Sequence, residues 1–380
     1  MLGKLADLCR KNPLVNTIAQ YTYLNLLPFL FPASGQGQEG EVALRGNGER
    51  NGPRVAFICD EMTWLDFKDQ CQGIFLSPKT WREQMDALRP ELLFCESAWD
   101  GAVCGWPNWR GRIYRNRGVW FENRKVLLEL LEYCRLWEIP TVFWNKEDPT
   151  FWQHPRYDFT DTALRFDYLF TTAEECVARY RALGHSRVFV LPFGVNTDLF
   201  SPGNQMPEPG RVIFAGSWFE NIPQRCLDMS RLFDHVLEQG MTLDIYDRKS
   251  GSGGENFRFP ERYIPYVHPG VPYRDMPSLL GRYEYALNVN SVTDSRTMCS
   301  RRVLQMAACG MKIISNPSPA MEIMDGLHLL RRCEGGKILY FESDARRIAV
   351  RYGTARQFAS VLHRVLGDAA VPDRSEIRSV

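Results

Sequence analysis

Residues 291–316 read SVTDSRTMCSRRVLQMAACGMKIISN. An apolar run, Tyr285 to Asn290, leads into this stretch, and a polar loop carrying Arg296, Arg301 and Arg302 follows it. A short helix is predicted from about Ser300 to Gly310, and a second apolar run, Lys312 to Ser315, leaves it. Strand, loop, helix, strand is the repeating unit of a parallel α/β sheet. A helix N-terminus presents free N–H groups and partial positive charge, so the guest that suits one flanked by arginines is a phosphate or pyrophosphate. Gly310 falls where a helix closes through a left-handed residue. The plainer alternative is a solvated arginine pair beside an ordinary helix cap.

SRRVLQMAACGMKIIS resembles the nucleotide-sugar-binding segment of GT-B glycosyltransferases, and TMCSRRV resembles the branch related to the spore-maturation CgeB proteins. The resemblance runs from about Val55 to Asp368. Besides the central stretch it is strongest at ESAW (Glu96 to Trp99), FWNKEDP (Phe143 to Pro149) and FAGSWF with Arg225 behind it. It implies an α/β chain of two Rossmann-like doubly wound domains facing a cleft. Residues 54–195 would form the acceptor domain and 196–368 the nucleotide-sugar-binding domain, with LPFGVNTDLFSPG (Leu191 to Gly203) connecting them. Residues 1–53 would be an apolar segment and linker, and residues 369–380 a tail.

The rest of the chain agrees with two such halves. A chain of 380 residues exceeds one ordinary core and suits two domains of about 150 residues each. With 46 basic and 45 acidic residues the net charge is +1, so no global field argues for a nucleic-acid partner. The 11 cysteines include no CxxC pair and no Cys/His cluster, which predicts reduced thiols in a cytoplasmic protein and no zinc site. RVAFICD, LLFCESAW, the run Ile139 to Trp144, and DYLFTTA read as strands of the first half, with helices between them. RVIFAGS, an amphipathic helix from Cys226 to Leu237, and MTLDIYDR begin the second.

Residues 12–38 contain no charged side chain, yet Pro13, Pro28 and several amides interrupt them, so neither a spanning helix nor a signal peptide is predicted. Two readings remain: a segment packed on the body, or an interfacial helix with Lys4, Arg10 and Lys11 near its start, giving peripheral membrane contact through residues 1–32. Residues 33–53 read as a flexible linker.

Open α/β sheets place ligand-binding residues at the C-terminal ends of their strands. In the first half those positions hold Asp60, Glu96, Glu147 and Asp148. Transfer of a sugar with inversion requires a base for the acceptor hydroxyl, and the order of candidates is Glu96, Glu147, Asp60. Trp99, Asn145, Lys146 and Asp148 are candidates for acceptor binding, and Trp106, Trp109, Trp144 and Trp152 add aromatic surface. In the second half Gly216, Ser217, Arg225, Ser300, Arg301, Arg302 and Gln305 are the donor-binding candidates, the arginines to stabilise a departing diphosphate.

The resemblance implies no cofactor and no metal. The substrate would be a nucleotide sugar, UDP-, GDP- or dTDP-linked, and no Asp-x-Asp metal signature of the other large glycosyltransferase fold is present. Many retaining members carry two glutamates eight positions apart, where this chain has Thr297 and Gln305. Gln305 keeps a hydrogen-bonding carbonyl but not the charge. The acceptor expected by analogy is a glycan or glycoconjugate. A transferase acting on modified DNA bases is an alternative, which a basic groove at Arg110, Arg112, Arg115 and Arg117 would favour. A non-catalytic nucleotide-sugar or glycan-binding protein is another, favoured by Gln305.

Overall fold

The computed structural model describes residues 12–27, 52–101, 108–250 and 255–367. Trp106, Lys4, Arg10, Lys11, nearly all of the linker and the tail lie outside the described residues. The chain divides into two compact units: one runs to Leu191 and resumes at Ala355, and the other spans Pro192 to Thr354.

In the first unit, α1 (Pro13–Tyr21) precedes an alternation of strand and helix. The order is β1 (Arg54–Ile58), α2 (Glu61–Phe67), β2 (Gln72–Phe75), α3 (Trp81–Leu88), β3 (Leu92–Glu96), α4 (Lys125–Leu136) and β4 (Thr141–Asn145). Then come α5 (Phe159–Ala163), β5 (Tyr168–Thr171), α6 (Glu174–Ala182) and β6 (Val188–Val190). The six strands form one parallel sheet in the order β2-β1-β3-β4-β5-β6. β3 and β4 are buried at every residue, as expected of parallel strands covered on both faces, and this explains why they appear in sequence as unbroken apolar runs. α4 contributes Leu127, Leu130 and Cys134 to the core, the face its 3.6-residue spacing predicted.

The second unit holds β7 (Glu208–Gly216), α7 (Pro223–Glu238), β8 (Thr242–Asp247), β9 (Val267–Pro269), α8 (Met276–Leu280) and β10 (Tyr283–Asn288). It continues with α9 (Arg302–Ala308), β11 (Lys312–Ser315), α10 (Pro319–Glu322), β12 (Leu327–Cys333), β13 (Ile338–Ser343) and α11 (Ala345–Tyr352). Its sheet runs β12-β13-β11-β10-β7-β8-β9, parallel from β11 to β9, with an antiparallel β12–β13 hairpin at one edge. Both units are therefore doubly wound Rossmann-like α/β layers. The helix expected from Ser300 begins at Arg302, and Gly310 does take the left-handed conformation (φ 74°) that ends it.

One difference concerns the chain end. Sequence spacing placed residues 355–368 with the second domain, whereas α12 (Thr354–Leu366) belongs from Ala355 onward to the first unit. There Phe358 lies 4.9 Å from the Phe67 ring centroid, 5.8 Å from Phe57 and 6.0 Å from Phe94. An amphipathic helix needs an apolar surface to cover, and periodicity alone does not say which sheet supplies it.

Candidate functional site

Strand order locates the place in each sheet where a ligand crevice is expected. In the first sheet, β2 and β3 lie on opposite sides of β1, and in the second, β8 and β10 lie on opposite sides of β7. At such a reversal the connecting loops diverge and leave a crevice at the strand C-termini. Asp60 and Glu96 stand at the first reversal, and Gly216 at the second.

At the second reversal, Gly216 ends β7, and a Cβ there would lie 2.8 Å from Nη2 and 2.9 Å from Nη1 of Arg302 and 2.8 Å from the Phe214 ring, so a larger residue would push the guanidinium aside. The Arg302 guanidinium thus rests on bare backbone, 5.1 Å from the centroid of the Phe214 ring. Its Nη1 is buried without a hydrogen-bond partner. Arg225, in the first turn of α7, is buried and donates from Nη1 to the Ser217 carbonyl at 3.1 Å and to the Met229 sulfur at 2.9 Å. The Ser217 hydroxyl is also buried and unpartnered. Arg248 follows β8 and completes the cluster.

Desolvation, reinforced by the neighbouring cations, lowers the pKa of both arginines: half-buried Arg302 to about 9 by desolvation, Arg225 and Arg248, and buried Arg225 to about 10 by desolvation and Arg248. Neither has a carboxylate partner among the described residues. Asp228, three residues beyond Arg225 on the same helix, pairs instead with Arg231 at 2.8 Å. Desolvated guanidiniums crowded together without an anion are costly, and an anionic ligand relieves both the desolvation and the repulsion.

The other donor candidates face elsewhere. Arg301 lies 5.8 Å from the Phe193 ring centroid. Gln305 donates to the Tyr273 hydroxyl at 3.1 Å, and Tyr273 in turn packs against Phe200. The Ser300 amide donates to the Asn290 side chain at 2.9 Å. Asn290 and Asn316 exchange bonds of 2.8 and 3.0 Å, and Asn288 donates to Ser315 at 3.0 Å, tying the ends of β10 and β11 together. Sequence reasoning passed over this amide network and Arg248. The visible signal was a polar residue within two positions of each strand end, at Arg248, Asn290 and Asn316.

At the first reversal the predicted carboxylates do meet. Glu96, fully buried, accepts from the Asp60 amide at 2.7 Å and pairs with Lys146 Nζ at 2.8 Å through Oε1, while its Oε2 has no partner. Half-buried Asp60 accepts three consecutive amides, from Trp99, Asp100 and Gly101, at 3.1, 3.2 and 2.7 Å. Glu147 is half-buried too. Burial raises its pKa to about 7; Lys146 and a bond from the Trp99 side chain oppose this, while Asp60 and Glu96 add to it. Four rings, those of Tyr114, Phe151, Tyr157 and Phe159, enclose Trp99 at 5.0 to 6.0 Å, which fixes its indole beside Glu147.

Asp148 and Asn145 are buried and satisfied internally. Asp148 accepts from Asn145 at 2.9 Å, Thr171 at 2.8 Å and Tyr180 at 3.0 Å. Its pKa is also about 7, raised by burial against the Thr171 and Tyr180 bonds. These two side chains shape the loop that presents Lys146 and Glu147.

The four arginines of the loop after β3 are engaged within the unit. Arg110 pairs with Asp100 at 3.5 Å, Arg115 with Glu122 at 3.3 Å and Arg117 with Asp158 at 3.0 Å. Arg112 donates to the Leu24 carbonyl at 2.6 Å. Among the described residues no group of three or more His, Cys, Asp or Glu side chains is arranged to hold a metal ion.

No family model matches the chain, and no curated protein matches it. Solved structures similar to it include an alpha-glucosyltransferase in complex with UDP, at 9% identity and TM-score 0.45, covering 71% of this chain and 82% of that one. Another is the sucrose-phosphate synthase of Thermosynechococcus elongatus, at 12% identity and TM-score 0.41, covering 79% and 77%. A glycosyltransferase of Rickettsia africae is similar at 12% identity and TM-score 0.38, covering 84% and 86%. Likenesses this distant assign no activity.

Proposed function

We propose that the chain is a GT-B glycosyltransferase of the CgeB-like branch, moving a sugar from a nucleoside-diphosphate donor to a hydroxyl of a glycan or glycoconjugate. The observation that carries the reading is the pair of guanidiniums, Arg302 over Gly216 and Arg225 on the Ser217 carbonyl, that have no acid partner among the described residues. A diphosphate has the charge to satisfy both, with Ser217 Oγ free to donate to a phosphate oxygen. In transfer the anomeric C–O bond breaks, its electron pair leaves on the nucleoside diphosphate, and the acceptor oxygen bonds to the anomeric carbon. The arginines then face the extra charge that develops on the leaving group, which lowers the barrier.

Glu147 is the base favoured for an inverting reaction. It is half-buried with a pKa near 7, so it is available to take the acceptor proton at neutral pH. Glu96, first in the order drawn from sequence, is sealed from solvent by Lys146 and the Asp60 amide and suits holding the strand ends together. The ion-paired arginines after β3 leave no unpaired cationic stripe for a phosphate backbone, which favours a glycan acceptor over DNA.

The test is a thermal-shift screen of UDP, GDP, CDP and dTDP and their sugars, with Arg302→Ala beside it. A ligand at about a hundredfold excess over its Kd stabilises the fold by about 2.7 kcal/mol, so micromolar binding is visible. Stabilisation by one nucleotide, lost in the variant, supports the donor site. No shift with any nucleotide refutes it. Transfer or donor hydrolysis that disappears in Glu147→Gln while nucleotide binding persists separates a transferase from a non-catalytic binding protein.

A further inference from the structure

Asp60 and Trp99 reach Glu147 from outside its own loop. The Asp60 carboxylate, which follows β1, accepts the amides of Trp99, Asp100 and Gly101 at 3.1, 3.2 and 2.7 Å. A carboxylate holding three consecutive backbone amides is a fastening, because protonating it would weaken every one of those charge-assisted bonds. The turn it fastens carries the Trp99 indole. Phe151, Tyr157 and Phe159 meet that indole at 5.0, 5.2 and 5.5 Å, at interplanar angles of 70 to 84°, and Tyr114 lies at 6.0 Å. An indole nitrogen can only donate, and this one donates to the Glu147 carboxylate.

The backbone of Glu147 is held as well. Its amide donates to the Asn145 side chain at 3.2 Å, and its carbonyl accepts from the Phe151 amide at 3.0 Å. Phe151 is also one of the rings around Trp99, so the hold on the backbone and the hold on the side chain share a residue. The charges that face the carboxylate are Lys146 and Asp148 from its own loop, Asp60 from beyond β1 and Glu96 from the end of β3. Lys146 is shared with Glu96 at 2.8 Å. Burial pushes the Glu147 pKa up to about 7, and the indole bond opposes it. Among three acids and one shared cation, a neutral donor fixed in place favours the ionised form without adding a charge.

We propose that Trp99 is a positioning residue for Glu147, anchored by Asp60: its indole N–H holds the carboxylate ionised and in one orientation, ready for the acceptor proton. The inference rests on the reading of Glu147 as the base. In the step it serves, the acceptor oxygen bonds to the anomeric carbon as its proton passes to a Glu147 oxygen. The departing nucleoside diphosphate takes the electron pair of the broken C–O bond, and the indole keeps its proton throughout.

The experiment is a pH titration of the full chain by NMR. It reads the Glu147 carboxyl in isotope-labelled glutamate and the Trp99 indole N–H, with Glu147→Gln and Trp99→Phe assigning the two signals. In wild type the indole resonance is expected to move with the Glu147 midpoint, at about pH 7, and to stop moving in Glu147→Gln. Trp99→Phe keeps a ring among the four and removes the N–H. With its melting temperature checked, it is expected to raise the Glu147 midpoint by about one pH unit. The acidic limb of the pH–rate profile for donor hydrolysis, with the sugar nucleotide that the screen selects, should move up equally. An indole resonance that ignores Glu147, or a Glu147 midpoint that Trp99→Phe leaves unmoved, overturns the proposal whatever the activity. A midpoint that rises as expected while Glu147→Gln turns over donor at the wild-type rate overturns instead the reading on which it rests.

Discussion

Arg302 stores a tension that a single substitution can reveal. Its guanidinium is desolvated on Gly216 with two further arginines nearby and no carboxylate, and the lowered pKa is the signature of that cost. An unpaired guanidinium taken out of water is costly, and an apolar side chain of similar length removes that cost. Arg302→Met is therefore expected to raise the melting temperature of the ligand-free protein while abolishing stabilisation by nucleoside diphosphates. A variant that melts lower and still binds would mean that the guanidinium has a structural partner instead.

The acids that follow β4 give a pH dependence of opposite origin. Glu147 and Asp148 both have pKa values raised to about 7 from ordinary values of 4.5 and 3.8. Between those limits the folded chain holds more protons than the unfolded one, so stability falls as pH rises and the loss is complete above about pH 7. Urea denaturation is expected to give higher stability at pH 5 than at pH 8, with Glu147→Gln reducing the difference by about 2 kcal/mol. A flat profile in wild type would show that these carboxyls are solvated.

At the scale of elements, the loop from Asn145 to Asp148 is held by a network that no short motif announces. Tyr180, on α6, donates to Asp148 at 3.0 Å and meets Asn145 at 2.8 Å, so Tyr180→Phe removes one donor from a buried acid. It should cost about 1–3 kcal/mol in denaturant melts and push the Asp148 pKa still higher. What was legible in the sequence followed from burial on both faces. β1, β3 and β4 are nearly continuous apolar runs, so their C-terminal acids could be named from the chain alone. β12 was passed over because His328 to Arg332 are exposed and show neither alternation nor an apolar run. Arg301 and Arg302 are adjacent in sequence, yet successive side chains diverge where a helix begins, and the rings they meet, Phe193 and Phe214, come from distant segments. Which arginine would sit on Gly216 was a fact of packing, beyond the reach of spacing.

At the scale of the whole molecule, the last helix decides what counts as a unit. Phe358, Val361 and Leu362 are buried, and Phe358 packs among Phe57, Phe67 and Phe94, so the first sheet is complete only once the far end of the chain has been made. Losing a buried phenylalanine costs about 3–5 kcal/mol, because the cavity left by the ring cannot fully collapse. The tryptophans make that cost separable. Of the ten in the chain, only Trp218 lies between Pro192 and Thr354, so fluorescence reports almost entirely on the first unit. Phe358→Ala is expected to lower the fluorescence-detected unfolding midpoint while leaving nucleoside-diphosphate binding, a property proposed for the second unit, within about twofold of wild type. An unmoved fluorescence midpoint would detach α12 from the first core. A midpoint that falls together with nucleotide affinity would mean that the two units unfold as one cooperative body.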